Sequence, residues 1–232
     1  MFLRQIVFAA CGFALLGGCA ASQQARDVET SGFLGEDYTL LREGEENEAL
    51  LTYRNPTADW RAYDKIQLNP VTIWGDDQSA FKDAPEAERK LLADDLFTAV
   101  YKELSKDYQM VTEPGPGVMS IQVALTDAQA SNPTLDTVSS VLPAGMAVSG
   151  ATDLITGKPS FVGEARAEVK VTDAASGELL GAAVDRRVGG KSLSGSMDSW
   201  DDAHQAFQYW AEQFRYRLCT ERGDTDCRPP EA

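Results

Sequence analysis

Few groups in this chain have the types and spacing that chemistry needs. His204 is the sole histidine, so any Ser-His or Cys-His relay has to use it. It stands near Asp201 and Asp202 with no nucleophile motif beside it. Gly190-Lys191-Ser192 has the ending of a phosphate-binding loop, but the earlier glycine that such a loop requires falls at Asp185. Residues 192–196 lack the glycines of a nucleophile elbow. A metal at Asp201 and His204 would need further ligands that the sequence does not place. The carboxylate pairs Asp76-Asp77, Asp94-Asp95 and Asp201-Asp202 are adjacent in sequence, and adjacent residues diverge on a helix, which is poor geometry for an acid and a base facing one substrate. Arg222-Gly223-Asp224 spells an adhesion tripeptide, yet it reads better as a turn. His204 is therefore expected to be structural or solvent-facing. No catalytic residue, metal ligand or cofactor is assigned, and the chain is not expected to be an enzyme.

The cysteines carry a different chemistry. Arg4 supplies a short positive start, residues 6–16 form an unbroken apolar run, and Leu16-Gly17-Gly18-Cys19 follows. An aliphatic residue, two small residues and a cysteine after such a run resemble the bacterial lipobox, in which the cysteine is acylated and becomes the new amino terminus. The run is too short to span a bilayer, which takes about 20 apolar residues. The alternative is an ordinary secretory signal cut after Ala20 or Ala21, leaving Cys19 without a lipid. With Ala20 rather than Asp after the cysteine, the resemblance implies sorting to the outer membrane, facing the periplasm. Cys11 leaves with the signal, so Cys219 and Cys227 remain, eight residues apart around Gly223. That spacing closes a small loop, and an oxidising compartment favours a disulfide. A zinc reading of the two thiols lacks third and fourth ligands.

Charge narrows the partners further. The 232 residues carry 21 Lys and Arg against 36 Asp and Glu, a net charge of -15. A phosphate backbone or an anionic lipid surface repels such a chain unless basic residues cluster, and Arg186-Arg187 or Arg215 with Arg217 are too small a patch. Nucleic acid is therefore not an expected partner, and membrane attachment is expected through covalent lipid alone. The acidic run at residues 43–48 could hold a cation, but glutamates on a flexible stretch do not preorganise a coordination shell, so a solvated loop is the plainer expectation.

Elements that would position these groups can be read from periodicity. Residues 20–32 are Ala, Ser, Gln and charged types without apolar pattern, a tether of roughly 40 Å when extended. Residues 33–41 and 50–53 read as short ordered pieces. Residues 63–74 alternate at Ile66 and Leu68 and change phase across Pro70, as a strand does at a bulge or an edge. Asp83 and Pro85 can open a helix whose Leu91, Leu92, Leu96, Val100 and Leu104 recur at helical spacing. Strands are predicted at 108–112 and around Met119, Ile121, Val123 and Leu125, joined as a hairpin through Pro114-Gly115-Pro116-Gly117. Ala165, Ala167, Val169 and Val171 alternate with Glu164, Arg166, Glu168 and Lys170, giving one buried and one wet face. After the turn at 172–177, residues 179–188 return as the partner strand. A last helix opened by Asp198 or Ser199 carries Trp200, Ala203, Phe207, Trp210, Phe214 and Leu218, an aromatic stripe that suits a core better than cofactor stacking.

Several of these segments together resemble one family. They are Ser31-Gly32-Phe33-Leu34 with Tyr38 and Leu41, Tyr53-Arg54-Asn55-Pro56, and Tyr63-Asp64-Lys65-Ile66 ahead of Pro70-Val71. Above all, Val162-Gly163-Glu164-Ala165 runs through Asp173-Ala174-Ala175-Ser176-Gly177-Glu178 to Asp185-Arg186-Arg187. The chain is similar here to the bacterial lipoproteins grouped as DUF3313, whose function is undefined. The resemblance implies an envelope lipoprotein with a small α+β domain and brings no catalytic residues to transfer.

The expected organisation is a signal peptide at 1–18, a lipidated amino terminus and tether at 19–32, one α+β domain at 33–218 and a disulfide-closed tail at 219–232. The fold expected is a single antiparallel or mixed sheet of about five strands with two main helices packed on it. The leading functional expectation is a non-enzymatic accessory or protein-binding module, lipid-anchored at the periplasmic face of the outer membrane with an envelope protein as partner. A carrier of a small apolar or lipid ligand is the alternative, and a hydrolase dependent on His204 the third. The stretch 137–161 is apolar but aperiodic; its Val141, Leu142, Met146 and Val148 would either pack as a small-residue helix or form a segment that docks a partner or covers a ligand.

Overall fold

In a computed structural model, the structure describes residues 23–24, 29–45, 47–75, 81, 84–130, 163–189 and 200–230. Among them nine strands join one mixed sheet: β1 (Gln23–Gln24), β2 (Arg42–Glu43), β3 (Leu51–Arg54), β4 (Lys65–Leu68), β5 (Thr72–Ile73), β6 (Gln109–Met110), β7 (Val118–Gln129), β8 (Glu164–Asp173) and β9 (Leu179–Val188). The helices are α1 (Glu86–Leu104) and α2 (Asp201–Arg222). The order across the sheet is β2-β3-β9-β8-β7-β4-β6, with β1 beyond β3 along β9 and β5 beyond β4 along β7. The α+β class agrees with the sequence, but the sheet exceeds the five strands expected. Four of the nine strands have only two residues, too few to show a period.

The long strands β7, β8 and β9 are antiparallel and form the middle of the sheet. The β8–β9 hairpin turns where expected: Asp173 Oδ1 accepts from the Ala175 and Ser176 amides, and Gly177 takes the left-handed conformation at φ 77°. Asn69 and Pro70 interrupt the next segment, so β4 and β5 run along β7 in succession, both parallel to it. The hairpin expected between 108–112 and 118–125 does not form. Lys65 of β4 lies opposite both Gln109 and Val118, so β4 sits between β6 and β7 and runs parallel to each. Residues 111–117 carry the chain back across the end of β4, where the Gly117 carbonyl accepts from the Asp64 and Lys65 amides.

Both helices lie on one face. From α1, Leu92, Leu96, Val100 and Leu104 are buried in the main core, while Leu91, counted in the same stripe by spacing, is 61% exposed. From α2 the core takes Ala203, Ala206, Phe207, Ala211 and Leu218, whose alanines let α1 approach closely. Asp83 and Ser199, read as caps, lie outside the described residues; Pro85 and Trp200 stand at the two helix starts without side-chain caps. The start of α2 is pinned to the sheet instead: the Asp202 carboxylate accepts from the Gly163 amide at 2.7 Å, and a Cβ on Gly189 would collide with that carboxylate.

The other face of the sheet is covered too, which the alternation in β8 did not foretell. Residues 31–41, with a 3-10 helix at Gly35–Leu40, cross it as a strap. Leu34 is buried against Ala182 and Val184, flanked by Phe33, Tyr38, Leu41, Leu51, Tyr53 and Leu179. Beneath the strap Glu168, expected on a wet face, is 1% exposed: its carboxylate accepts from the Tyr38 hydroxyl and from the Ser31 amide at 2.9 Å. Lys170 reaches Asp37 at 2.5 Å, and the Trp74 indole donates to the Ser31 carbonyl. Part of the stretch read as a tether is likewise in the sheet, since Gln23 and Gln24 pair with Val188 and Arg187.

Candidate functional site

A strand that faces a helix usually fills the space between them with large side chains. Here β9 offers Gly181 and Ala183 and β8 offers Ala167, while α2 opposes them with Trp210, Phe214 and Leu218. These volumes do not meet. A cavity of about 200 Å³ remains between α2 and the β3–β9–β8 part of the sheet. Its consequence is visible in burial: Ala167, Val169, Ala183, Trp210 and Phe214 all face this interior yet are only part-buried. Val123, Val171, Leu96 and Val100 close the inner wall, and Trp60 stands in it from the 3-10 helix Trp60–Ala62.

Polar groups border the slot in a set pattern. Asp185 on β9 is buried and accepts from the Trp210 indole at 2.7 Å, the Gln24 amide at 2.8 Å and the Leu50 backbone at 3.2 Å. Burial pushes its carboxyl above the usual range, against the pull of these donors and of Arg187. Along the rim Glu48 pairs with Arg42 at 3.1 Å and Arg217 at 3.5 Å, and Arg54 pairs with Glu221. Burial works to raise the Glu48 pKa, but the Glu45 amide and the two guanidiniums hold it below the ordinary value. Glu48 belongs to the acidic run read as a solvated loop; β2 and β3 instead fold it back over the slot. The Trp60 indole nitrogen, on a residue 6% exposed, has no hydrogen-bond partner among the described residues.

The arrangement can enclose an apolar group and meet a polar one at its edge. Among the described residues no group of three or more His, Cys, Asp or Glu could hold a metal ion. His204 lies away from the slot on the α1 side of α2, with Nε2 3.3 Å from Asp95 and its ring edge-on to Phe207. Of the carboxylate pairs, Asp94 binds Lys90, Asp95 faces His204, and Asp201 accepts from Gln205.

Cys219 and Cys227 are disulfide-bonded, with Cα atoms 5.6 Å apart. Cys219 sits in the last turn of α2, Gly223 ends the helix at φ 72°, and Arg222 closes on Asp224 at 2.5 Å. The Arg61 guanidinium donates to the Arg222 carbonyl, and Arg222 lies over the Tyr108 ring, so this end is stitched to the domain. Cys19 lies outside the described residues, as do Val141, Leu142, Met146 and Val148. No helix among the described residues is long and apolar enough to cross a membrane.

The slot was not found by reasoning from sequence. The aromatic stripe of α2 does belong to the core, and nothing in the period of β9 marks Gly181 and Ala183 as a gap beneath it. A usable signal did exist, in small residues at the strand positions that must face the bulkiest helix. The segments behind the family resemblance also border these sites, with Arg54 and Asp185 at the slot and Ser31 and Tyr38 at the strap.

The chain is 27% identical over 190 residues to the uncharacterized lipoprotein YdcL of Escherichia coli strain K12, covering 81% of this chain and 83% of that protein. The same identity and coverage hold for YdcL of Escherichia coli O157:H7. Among solved structures, a PelC dodecamer from Paraburkholderia phytofirmans aligns with a TM-score of 0.38 at 10% identity, over 75% of this chain and 96% of that one. The family model described as "Protein of unknown function (DUF3313)" matches residues 29–214, from the strap through most of α2, and the chain belongs to that family.

Proposed function

We propose that this protein is a bacterial envelope lipoprotein, held by acyl chains on Cys19 at the periplasmic face of the outer membrane, whose domain is a non-enzymatic binding module. The lipobox-like Leu16-Gly17-Gly18-Cys19 supports the anchor, as does a lipoprotein among its relatives. At about 0.8 kcal/mol for each buried methylene, two or three acyl chains make such an anchor permanent.

The slot between α2 and β9 is the binding site in this reading, and its occupant is a small ligand with an apolar part. The observation that carries it is the mismatch of volumes, Gly181 and Ala183 against Trp210 and Phe214, in a sheet otherwise packed on both faces. An empty apolar space forfeits contacts in the free protein, and a ligand restores them. A protein partner, the leading expectation from the sequence, becomes the second reading here, because the slot rather than a surface patch carries the proposal.

Native mass spectrometry of the mature chain released gently from membranes tests this. A discrete added mass is expected, lost in Ala183→Leu, whose side chain occupies the slot. Wild-type protein that carries no ligand, or a variant that keeps its ligand, contradicts the assignment.

A further inference from the structure

The rim of the slot gathers three arginines in an acidic molecule. The chain carries a net charge of -15, yet Arg42, Arg54 and Arg217 stand together there, paired among the described residues with Glu48 and Glu221. Arg42 and Arg54 keep side-chain exposures of 54% and 52%, so neither guanidinium is consumed by its carboxylate. The third acid on the wall, Asp185, is faced by Arg187, itself buried and stacked 3.5 Å from the Tyr209 ring centre. A mouth that bears arginines therefore opens into an apolar interior. Arg54 and the Trp60 indole, whose nitrogen has no acceptor among the described residues, both adjoin Gly181: Arg54 is its partner in register, and the Trp60 ring lies 3.6 Å from where a Cβ on Gly181 would stand. A carboxylate is one group that can accept from a guanidinium or from an indole N–H.

Strand β1 fixes where this mouth lies. The Gln24 side chain donates to the Glu48 carbonyl at 2.7 Å and to Asp185 at 2.8 Å, so the chain is fastened to the slot only five residues after Cys19. Five extended residues span at most about 18 Å. A domain anchored through Cys19 thus holds this mouth beside the bilayer, well inside the reach that a free tether up to residue 32 would allow.

We propose that the slot takes a single-chain anionic amphiphile, a fatty acid, from the membrane in which the protein is anchored, with the carboxylate at the arginine rim and the tail between α2 and β9. This rests on the slot being a ligand site.

The test uses the full lipidated chain in phosphatidylcholine vesicles that contain a photoreactive fatty acid, or the alcohol or the alkylammonium of the same chain length. After irradiation, the labelled peptides are identified by mass spectrometry. The fatty acid is expected to label peptides of β9 and α2 about ten-fold more than the other two, the scale of one charge-assisted contact. Arg54→Gln, at a half-exposed position, should bring the acid down to the level of the alcohol, and Arg42→Gln, which leaves the Arg54–Glu221 pair in place, serves as a second variant. Equal labelling by all three probes overturns the head-group assignment while leaving the slot as an apolar site. Labelling of the slot by none of them overturns the slot itself. If a Cys19→Ser chain takes the acid from buffer while the anchored chain takes none from vesicles, the membrane source is refuted.

Discussion

Replacing Tyr38 with Phe isolates the fastening of the strap. The substitution keeps the ring against Leu34 and Ala182 and removes one oxygen, which donates to Glu168 and accepts from the Gly32 amide at 2.8 Å. Glu168 is 1% exposed, so water cannot take the place of the lost donor, and the carboxylate keeps only the Ser31 amide at 2.9 Å. A hydrogen bond to a charged group contributes about 1.5–3 kcal/mol, and leaving a buried partner unsatisfied places the loss in the upper half of that range. For a chain of this size each kcal/mol moves Tm by roughly 2–4 °C, so Tyr38→Phe should melt roughly 5–10 °C below wild type. Hydrogen exchange should accelerate at residues 31–41 ahead of β7 and β8. In the double variant Tyr38→Phe/Glu168→Gln the cost should fall short of the sum of the singles, because the two changes break one interaction. A Tyr38→Phe protein within 1 °C of wild type, with unchanged exchange in the strap, would refute the claim that this bond holds the second face closed.

Other outcomes follow from the same structure. Opening the Cys219–Cys227 loop by Cys219→Ser and Cys227→Ser should cost about 2.5 kcal/mol on the chain-entropy model for eight residues, read as a lowered urea midpoint; no change would mean that the Arg61 and Arg222 contacts suffice without it. Burial, helped for Tyr63 by its hydrogen bond to Asp173, pushes the Tyr63 and Tyr108 phenols up to about 12. Because these folded-state values lie above the ordinary 10, their contribution to stability is complete below pH 10 and is lost as pH rises through about 12. Phenolate absorbance should then show Tyr63 and Tyr108 titrating only as the fold opens, and titration of both near pH 10 in an intact fold would contradict this. Ala183→Leu should raise stability by about 1 kcal/mol in the ligand-free protein, since three added carbons gain burial and lose part of it to strain; a loss beyond that size would mean there is no space to fill.

Much of the frame was legible, and the failures have physical causes. Helical spacing located Leu92 to Leu104, and strict alternation with an Asp-to-Gly turn located β8 and β9, because each pattern repeats over ten residues or more. Two-residue strands repeat nothing, so β1 and β2 were invisible as sheet members, while β5 and β6 fell inside the strands predicted at 63–74 and 108–112. A proline-glycine turn announces that the chain changes course; it does not say which strand fills the gap, and β4 fills it between β6 and β7. Alternation sorts residues onto two faces without saying what lies over the second, so Glu168 read as wet while Tyr38 and Ser31 bury it from 130 and 137 residues away. The slot was hidden for a related reason. Sequence lists the volumes of Gly181, Ala183 and Phe214, but whether they touch depends on where α2 rests, which the Asp202 contact to Gly163 helps to decide. The Cys219 and Cys227 pair, by contrast, was legible from its spacing together with the oxidising compartment that the leader implies.

A crystal structure of the mature chain purified from its native membranes tests the binding-module account most directly. Elongated electron density lying between Phe214 and Ala183, with its polar end toward Arg54, is the predicted result. A slot that holds only water, or one closed by Trp210 and Phe214 packed down on Ala183, would contradict it.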